Sequence, residues 1–93
     1  MSPAEKREFF TNIFNQTCNE NGIDINDYTI QRKELNEFLL YRKDNVSFDY
    51  NHIILLYPEG KIMHVIVLNV IPNFMSKAIN DLQIFLTKYR INK

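Results

Sequence analysis

Two histidines, His52 and His64, and one cysteine, Cys18, are the side chains most able to do chemistry in this 93-residue chain. The histidines flank Pro58-Glu59-Gly60-Lys61, which reads as the loop of a β-hairpin. Pro58 presets φ for the second position of a type I turn, and Gly60 accepts a positive φ. A three-residue loop of this kind pairs Tyr57 with Lys61, Ile54 with His64 and His52 with Ile66. His52 and His64 then lie diagonally on one face, roughly 7–8 Å apart. Two imidazoles at that separation could share a proton or hold a metal. A zinc site needs a third and usually a fourth ligand, however, and the hairpin supplies none. A four-residue loop would send the two rings to opposite faces. The simpler reading is two histidines, each hydrogen bonded through one nitrogen.

Cys18 falls within an apolar helical stripe beside Asn19 and Glu20. A nucleophilic thiolate needs positive charge nearby, so Cys18 reads as a small buried hydrophobe. Glu34 and Glu37, three apart, read as solvated. Both glycines are used by a helix stop and a turn, which leaves no phosphate cradle. The expectation is therefore no catalytic centre, no metal and no cofactor.

The elements that position these residues can be read in order. Ser2-Pro3-Ala4-Glu5 carries a capping box and a proline suited to a first helical turn. Phe9, Phe10, Ile13, Phe14, Thr17 and Cys18 follow at helical spacing up to Asn21-Gly22. These signals predict a helix over residues 3–20. Leu35, Phe38, Leu39 and Arg42 keep i, i+3, i+4 spacing among good helix formers. They predict a second helix over about 29–43, with a strand from Glu37 to Arg42 as the competing reading. Val46 to Tyr50 alternates as an edge strand would. Asn73 can cap a third helix over about 74–89, striped by Met75, Ala78, Ile79, Leu82, Phe85, Leu86 and Tyr89.

The stretch from His52 to Ile71 reads as the centre of the fold. In the expected register one face carries His52, Ile54, Leu56, Ile62, His64, Ile66 and Leu68. The other carries Ile53, Leu55, Tyr57, Met63, Val65 and Val67. Neither face is polar, so both must be covered. The third helix is assigned to the face of Ile53, Leu55, Val65 and Val67. The first helix could cover the other and leave a monomer; otherwise a second copy would.

Net charge is zero and the isoelectric point is near 6.7, which gives no electrostatic reason to expect a polyanion. A single cysteine excludes an internal disulfide and points to a reducing, cytoplasmic setting. The polar start lacks a signal-peptide core, and no apolar run reaches the ~18 residues of a membrane span.

These observations predict one α+β domain spanning residues 1–93. It has two N-terminal helices, a short antiparallel meander centred on the 52–71 hairpin, and a C-terminal helix packed on the sheet. The function expected is protein–protein binding of a regulatory, immunity or inhibitor type. Self-association as a homodimer would use Ile62, His64, Ile66, Leu68 and Val70. The alternative is a nucleic-acid-binding module on the second helix, through Arg32, Lys33, Arg42 and Lys43 with Tyr41 interleaved.

Overall fold

A computed structural model describes residues 1–44 and 49–91, the last three by their backbone alone. Pro3–Glu20 form α1, as its capping signals predict. The Ser2 hydroxyl accepts from the Glu5 amide and the Glu5 carboxylate accepts from the Ser2 amide, both at 3.1 Å. At the other end the Ile23 amide donates to the Cys18 carbonyl at 2.9 Å. Gly22 permits this closure by taking a φ of 67°. The reversal folds Ile23 back into the core that α1 covers.

The second expected helix is instead a β-hairpin. Tyr28–Glu34 form β1 and Glu37–Arg42 form β2. The physical reason lies in Phe38, Leu39 and Leu40, three consecutive side chains that are all buried. A helix on a sheet buries one stripe, whereas a central strand buries both faces. Successive residues here face opposite ways, and each face has a core to enter. Asn36 fixes the intervening turn: its carbonyl accepts from the Leu56 amide, and its side-chain amide donates to the Leu56 carbonyl, both at 2.8 Å.

Asn51–Glu59 form β3 and Ile62–Val70 form β4. Among the described residues the sheet is antiparallel, with strands in the order β1-β2-β3-β4. The strand expected over 46–50 lies largely outside the described residues, and Asp49 and Tyr50 belong to no strand. A 3-10 turn over Pro72–Phe74 leads into α2, Met75–Ile91. Asn73 lies inside that turn and is not the helix cap.

The β3–β4 hairpin is real, but its register differs from expectation. Glu59 pairs with Ile62, Pro58 with Met63 and Tyr57 with His64, around a two-residue Gly60-Lys61 turn. Gly60, at φ 61°, stands at the first central position, where a II′ turn requires it. Pro58 is inside the strand. The Leu56 amide faces the β2 side of β3, and so does the position of Pro58, two residues on. Paired residues of β2 begin opposite Leu55, so no ladder bond is lost to the proline.

Each face of the sheet carries one helix. Phe10, Phe14 and Cys18 of α1 pack with Phe38, Leu40, Ile54 and Leu56. Met75, Leu82 and Leu86 of α2 pack with Leu39, Ile53 and Leu55 on the other face. The shifted register exchanges the faces of β4. Met63 and Val67 pack on the α1 side, while Ile66 and Leu68 pack on the α2 side. The C-terminal helix thus covers Ile53 and Leu55 as expected, but not Val65 or Val67.

Candidate interaction surface

The two edges of the sheet are built differently. β1 ends in Arg32-Lys33-Glu34 and is irregular between Arg32 and Glu34. Charge and a bulge are the usual protections against strand addition. β4 reads Ile-Met-His-Val-Ile-Val-Leu-Asn-Val, nine residues with no Pro, Lys, Arg, Asp or Glu. It lies at the opposite edge. The pair flanking a two-residue turn is hydrogen bonded, and bonded pairs then alternate. The main-chain groups of Ile62, His64, Ile66, Leu68 and Val70 therefore turn to β3. Those of Met63, Val65, Val67 and Asn69 point outward.

An apolar groove of about 780 Å³ runs between this edge and α2. Ile66, Leu68 and Val70 form its floor, and Phe74, Ala78 and Phe85 its helical wall. Ile71 is 54% exposed, Phe74 56% and Phe85 54%. The five residues expected at an interface share the α2-facing side of β4. Ile62 stands out at the turn, Ile66 and Leu68 are partly covered, and Val70 is buried in the chain's own core.

His52 and His64 face opposite sides, so the shared-proton and shared-metal readings fail. His64 Nε2 lies 3.5 Å from Glu59 Oε1, and this enclosed atom makes no hydrogen bond among the described residues. His52 instead joins a polar corner beneath α1. Its Nδ1 meets Asn69 Oδ1 at 3.0 Å, and its Nε2 meets the Tyr28 hydroxyl at 3.1 Å. Arg42 Nη1 donates to the same hydroxyl at 3.3 Å and pairs through its guanidinium with Asp44 and Asp49. Burial holds the His52 imidazole below its ordinary value, and the Arg42 charge adds to that. No group of three or more His, Cys, Asp or Glu able to hold a metal occurs among the described residues.

The basic residues proposed for nucleic acid are not on a helix and form no common patch: Arg32 and Arg42 both lie on the α1 side, but at opposite ends of the β1–β2 hairpin and each engaged there. Arg32 is spent on structure. It donates to Thr11 Oγ1 at 2.8 Å, to the Arg7 carbonyl at 3.1 Å and to the Leu35 carbonyl at 2.6 Å. It also lies 4.6 Å above the Phe38 ring. Tyr41 packs toward α2, whereas Arg42 points to the α1 side. Lys33 is exposed at the irregular end of β1, and Lys43 follows the end of β2. Glu37 is buried, not solvated, and accepts from Gln83 Nε2 of α2 at 3.3 Å. Cys18 is buried, as its stripe predicts, and burial pushes its thiol up to about 11.

No family model, curated protein or solved structure matches this chain. No helix among the described residues is long and apolar enough to cross a membrane.

Proposed function

We propose that this protein works by binding protein rather than by catalysis, and that its docking element is the β4 edge. It pairs antiparallel with β4 of a second copy, giving a twofold dimer with one continuous sheet. The supporting observation is the contrast between the edges: β1 is charged and irregular, while β4 is long, uncharged and backed by an apolar groove. An unprotected edge offers main-chain donors and acceptors to any strand that reaches it. Twofold pairing is the commonest way for such an edge to close. A cytoplasmic regulatory, immunity or inhibitor protein fits this mode of action.

The experiment is sedimentation across a concentration range, for wild type and Val65→Pro. The outward amide of Val65 contributes nothing to the β3–β4 ladder, so proline there removes only the outer bond. A folded monomer is expected for Val65→Pro and a dimer for wild type. A wild type still monomeric at high micromolar concentration defeats the proposal. Salt-sensitive binding of single-stranded nucleic acid, weakened by Lys33→Ala and Lys43→Ala, would favour the nucleic-acid reading instead.

A further inference from the structure

The geometry points to a second contact layer in this dimer: α2 of each copy lies along the groove of the other, antiparallel across the twofold axis. This inference rests on the β4 pairing proposed above and specifies what fills the groove.

Three observations carry it. The first is direction. The groove and its neighbouring recess place Phe74 beside Val70 and Phe85 beside Val65 and Ile66. α2 therefore runs back along β4, antiparallel to it. From Phe74 to Phe85 is 11 residues, about 17 Å of helix. From Val70 to Val65 is five residues of strand, also about 17 Å. The middle of this helical stretch thus falls between Val67 and Leu68, and of these two Val67 turns its main chain outward. An axis through Val67 pairs it with the partner's Val67, and Val65 with the partner's Asn69.

The second is spacing. Phe74, Ala78, Asp81 and Phe85 line the groove at intervals of four, three and four. Those intervals keep one seam along a helix facing a partner. Under the twofold operation Phe74 meets the partner's Phe85, and Ala78 meets the partner's Asp81. Bulky residues meet at the ends and a small one meets a polar one in the middle. Lys77 Nζ holds Asp81 at 2.7 Å, so the seam carries little net charge. The chain as a whole is neutral, and two copies approach without net repulsion.

The third is size. α2 is centred near β3, because it packs on Leu39 of β2, on Ile53 and Leu55 of β3, and on Val70 of β4. Two β3 strands flanking a β4 pair lie three spacings apart, about 14 Å. Helices in direct contact pack at 8–10 Å. The remaining few ångströms are what facing phenylalanines can span. Phe74 and Phe85, each just over half exposed, offer roughly 200 Å² together by the usual area of an aromatic side chain. With Ile62, Val65, Ile71 and the β4 main chain, the patch reaches the order of the ~800 Å² per partner of a stable interface.

The test is a charge exchange, read as the dimer Kd by sedimentation, with circular dichroism to verify folding. Phe74→Lys and Phe85→Glu each remove one side of both Phe–Phe contacts. Each is expected to weaken the dimer at least tenfold, and the double variant, which sets opposite charges face to face, to recover most of that loss. If either variant fails to fold, nitroxides on Asn80→Cys and, separately, on Lys88→Cys replace it, since Cys18 is buried. The antiparallel seam places the two labels at position 80 within about 20 Å and those at 88 roughly 30 Å apart, from helical rise and strand spacing. If the dimer forms and Val65→Pro breaks it, but the two single variants keep the wild-type Kd, the seam is wrong and the edge pairing stands. Weakened singles without recovery, or an 80 distance as long as the 88 distance, overturn the antiparallel arrangement. A wild type without any dimer removes both readings.

Discussion

The Tyr28 hydroxyl lies 3.1 Å from His52 Nε2, which ties the first strand to the third across β2. Asn69 holds the other ring nitrogen, and Arg42 donates to the same hydroxyl. A neutral imidazole suits this corner: Nδ1–H donates to Asn69, and Nε2 accepts the hydroxyl proton. Protonation would displace that hydroxyl proton and add a buried charge near Arg42.

Stability should therefore fall in mildly acidic solution. The folded pKa of His52 is depressed below its ordinary 6.5, chiefly by burial. Between the folded value and 6.5 the unfolded chain binds more protons than the folded one, so stability rises with pH there. The contribution is complete above 6.5 and is lost as pH falls through the folded pKa. Urea midpoints at pH 7.5, 6.5 and 5.5 should decline for wild type and change less for His52→Gln. Equal slopes in both proteins would take His52 out of the effect.

Leu82→Ala should cost about 2–5 kcal/mol, the usual range for a large-to-small change in a packed core. Leu82 is 6% exposed under α2 and Leu40 is fully buried under α1. Leu40→Ala should fall in the same range, because each face has its own core. A small domain has roughly 5–10 kcal/mol to lose. Denaturant unfolding showing less than about 1 kcal/mol for Leu82→Ala would put its side chain outside the core.

The outer elements were legible because several local signals agreed. The capping box fixed α1, and unbroken stripes marked both helices. Only half of the β1–β2 hairpin was legible: the competing strand from Glu37 to Arg42 is β2, whereas β1 falls in the stretch read as helix. The hairpin turn, Leu35-Asn36, has neither Gly nor Pro, and Arg32-Lys33-Glu34-Leu35 favours a helix locally. Pairing with β3 and burial on two faces outweigh that preference, and neither is visible within a short window. The hairpin register failed for the opposite reason, an overly clear signal. Pro58-Glu59-Gly60-Lys61 resembles a three-residue loop, yet Pro58 is admitted to the strand because β2 does not extend past it. The resulting shift of three is odd, and an odd shift moves every β4 side chain to the other face. That one shift separated His52 from His64 and joined His52 to Asn69. The bare β4 edge, by contrast, follows directly from composition once strand order is known.

Arg32→Lys should destabilise the fold by about 1–2 kcal/mol, although both residues are cationic. The guanidinium serves three acceptors and lies over Phe38. An ammonium cannot reproduce that planar fork, and each bond lost typically costs about 0.5–1.5 kcal/mol. Lys33→Ala next to it should change stability by less than about 0.5 kcal/mol, as for most surface positions. A melting comparison of the two variants separates a structural arginine from a surface charge.

Cys18 should resist thiol reagents in the native state. Its thiol is pushed up to about 11 by burial and is 1% exposed, so neither thiolate nor access is available at neutral pH. Labelling with a chromogenic disulfide should be slow in buffer and complete in urea. Rapid native labelling would mean that α1 opens readily from the sheet.

Hydrogen exchange along β4 should reveal the edge pairing residue by residue. The amides of Ile62, His64, Ile66, Leu68 and Val70 point to β3 and are held by the hairpin in any oligomeric state. The amides of Met63, Val65, Val67 and Asn69 point outward and meet no strand among the described residues. In dilute protein the second group should exchange rapidly and the first slowly, an alternation of period two along nine residues. Raising the concentration should slow Val65, Val67 and Asn69 selectively, because they meet the second copy. The inward set should barely respond, since its bonds already exist in the monomer. In Val65→Pro the concentration effect at Val67 and Asn69 should vanish. A dimer seen by sedimentation without any gain at Val67 would place the contact elsewhere than on this edge.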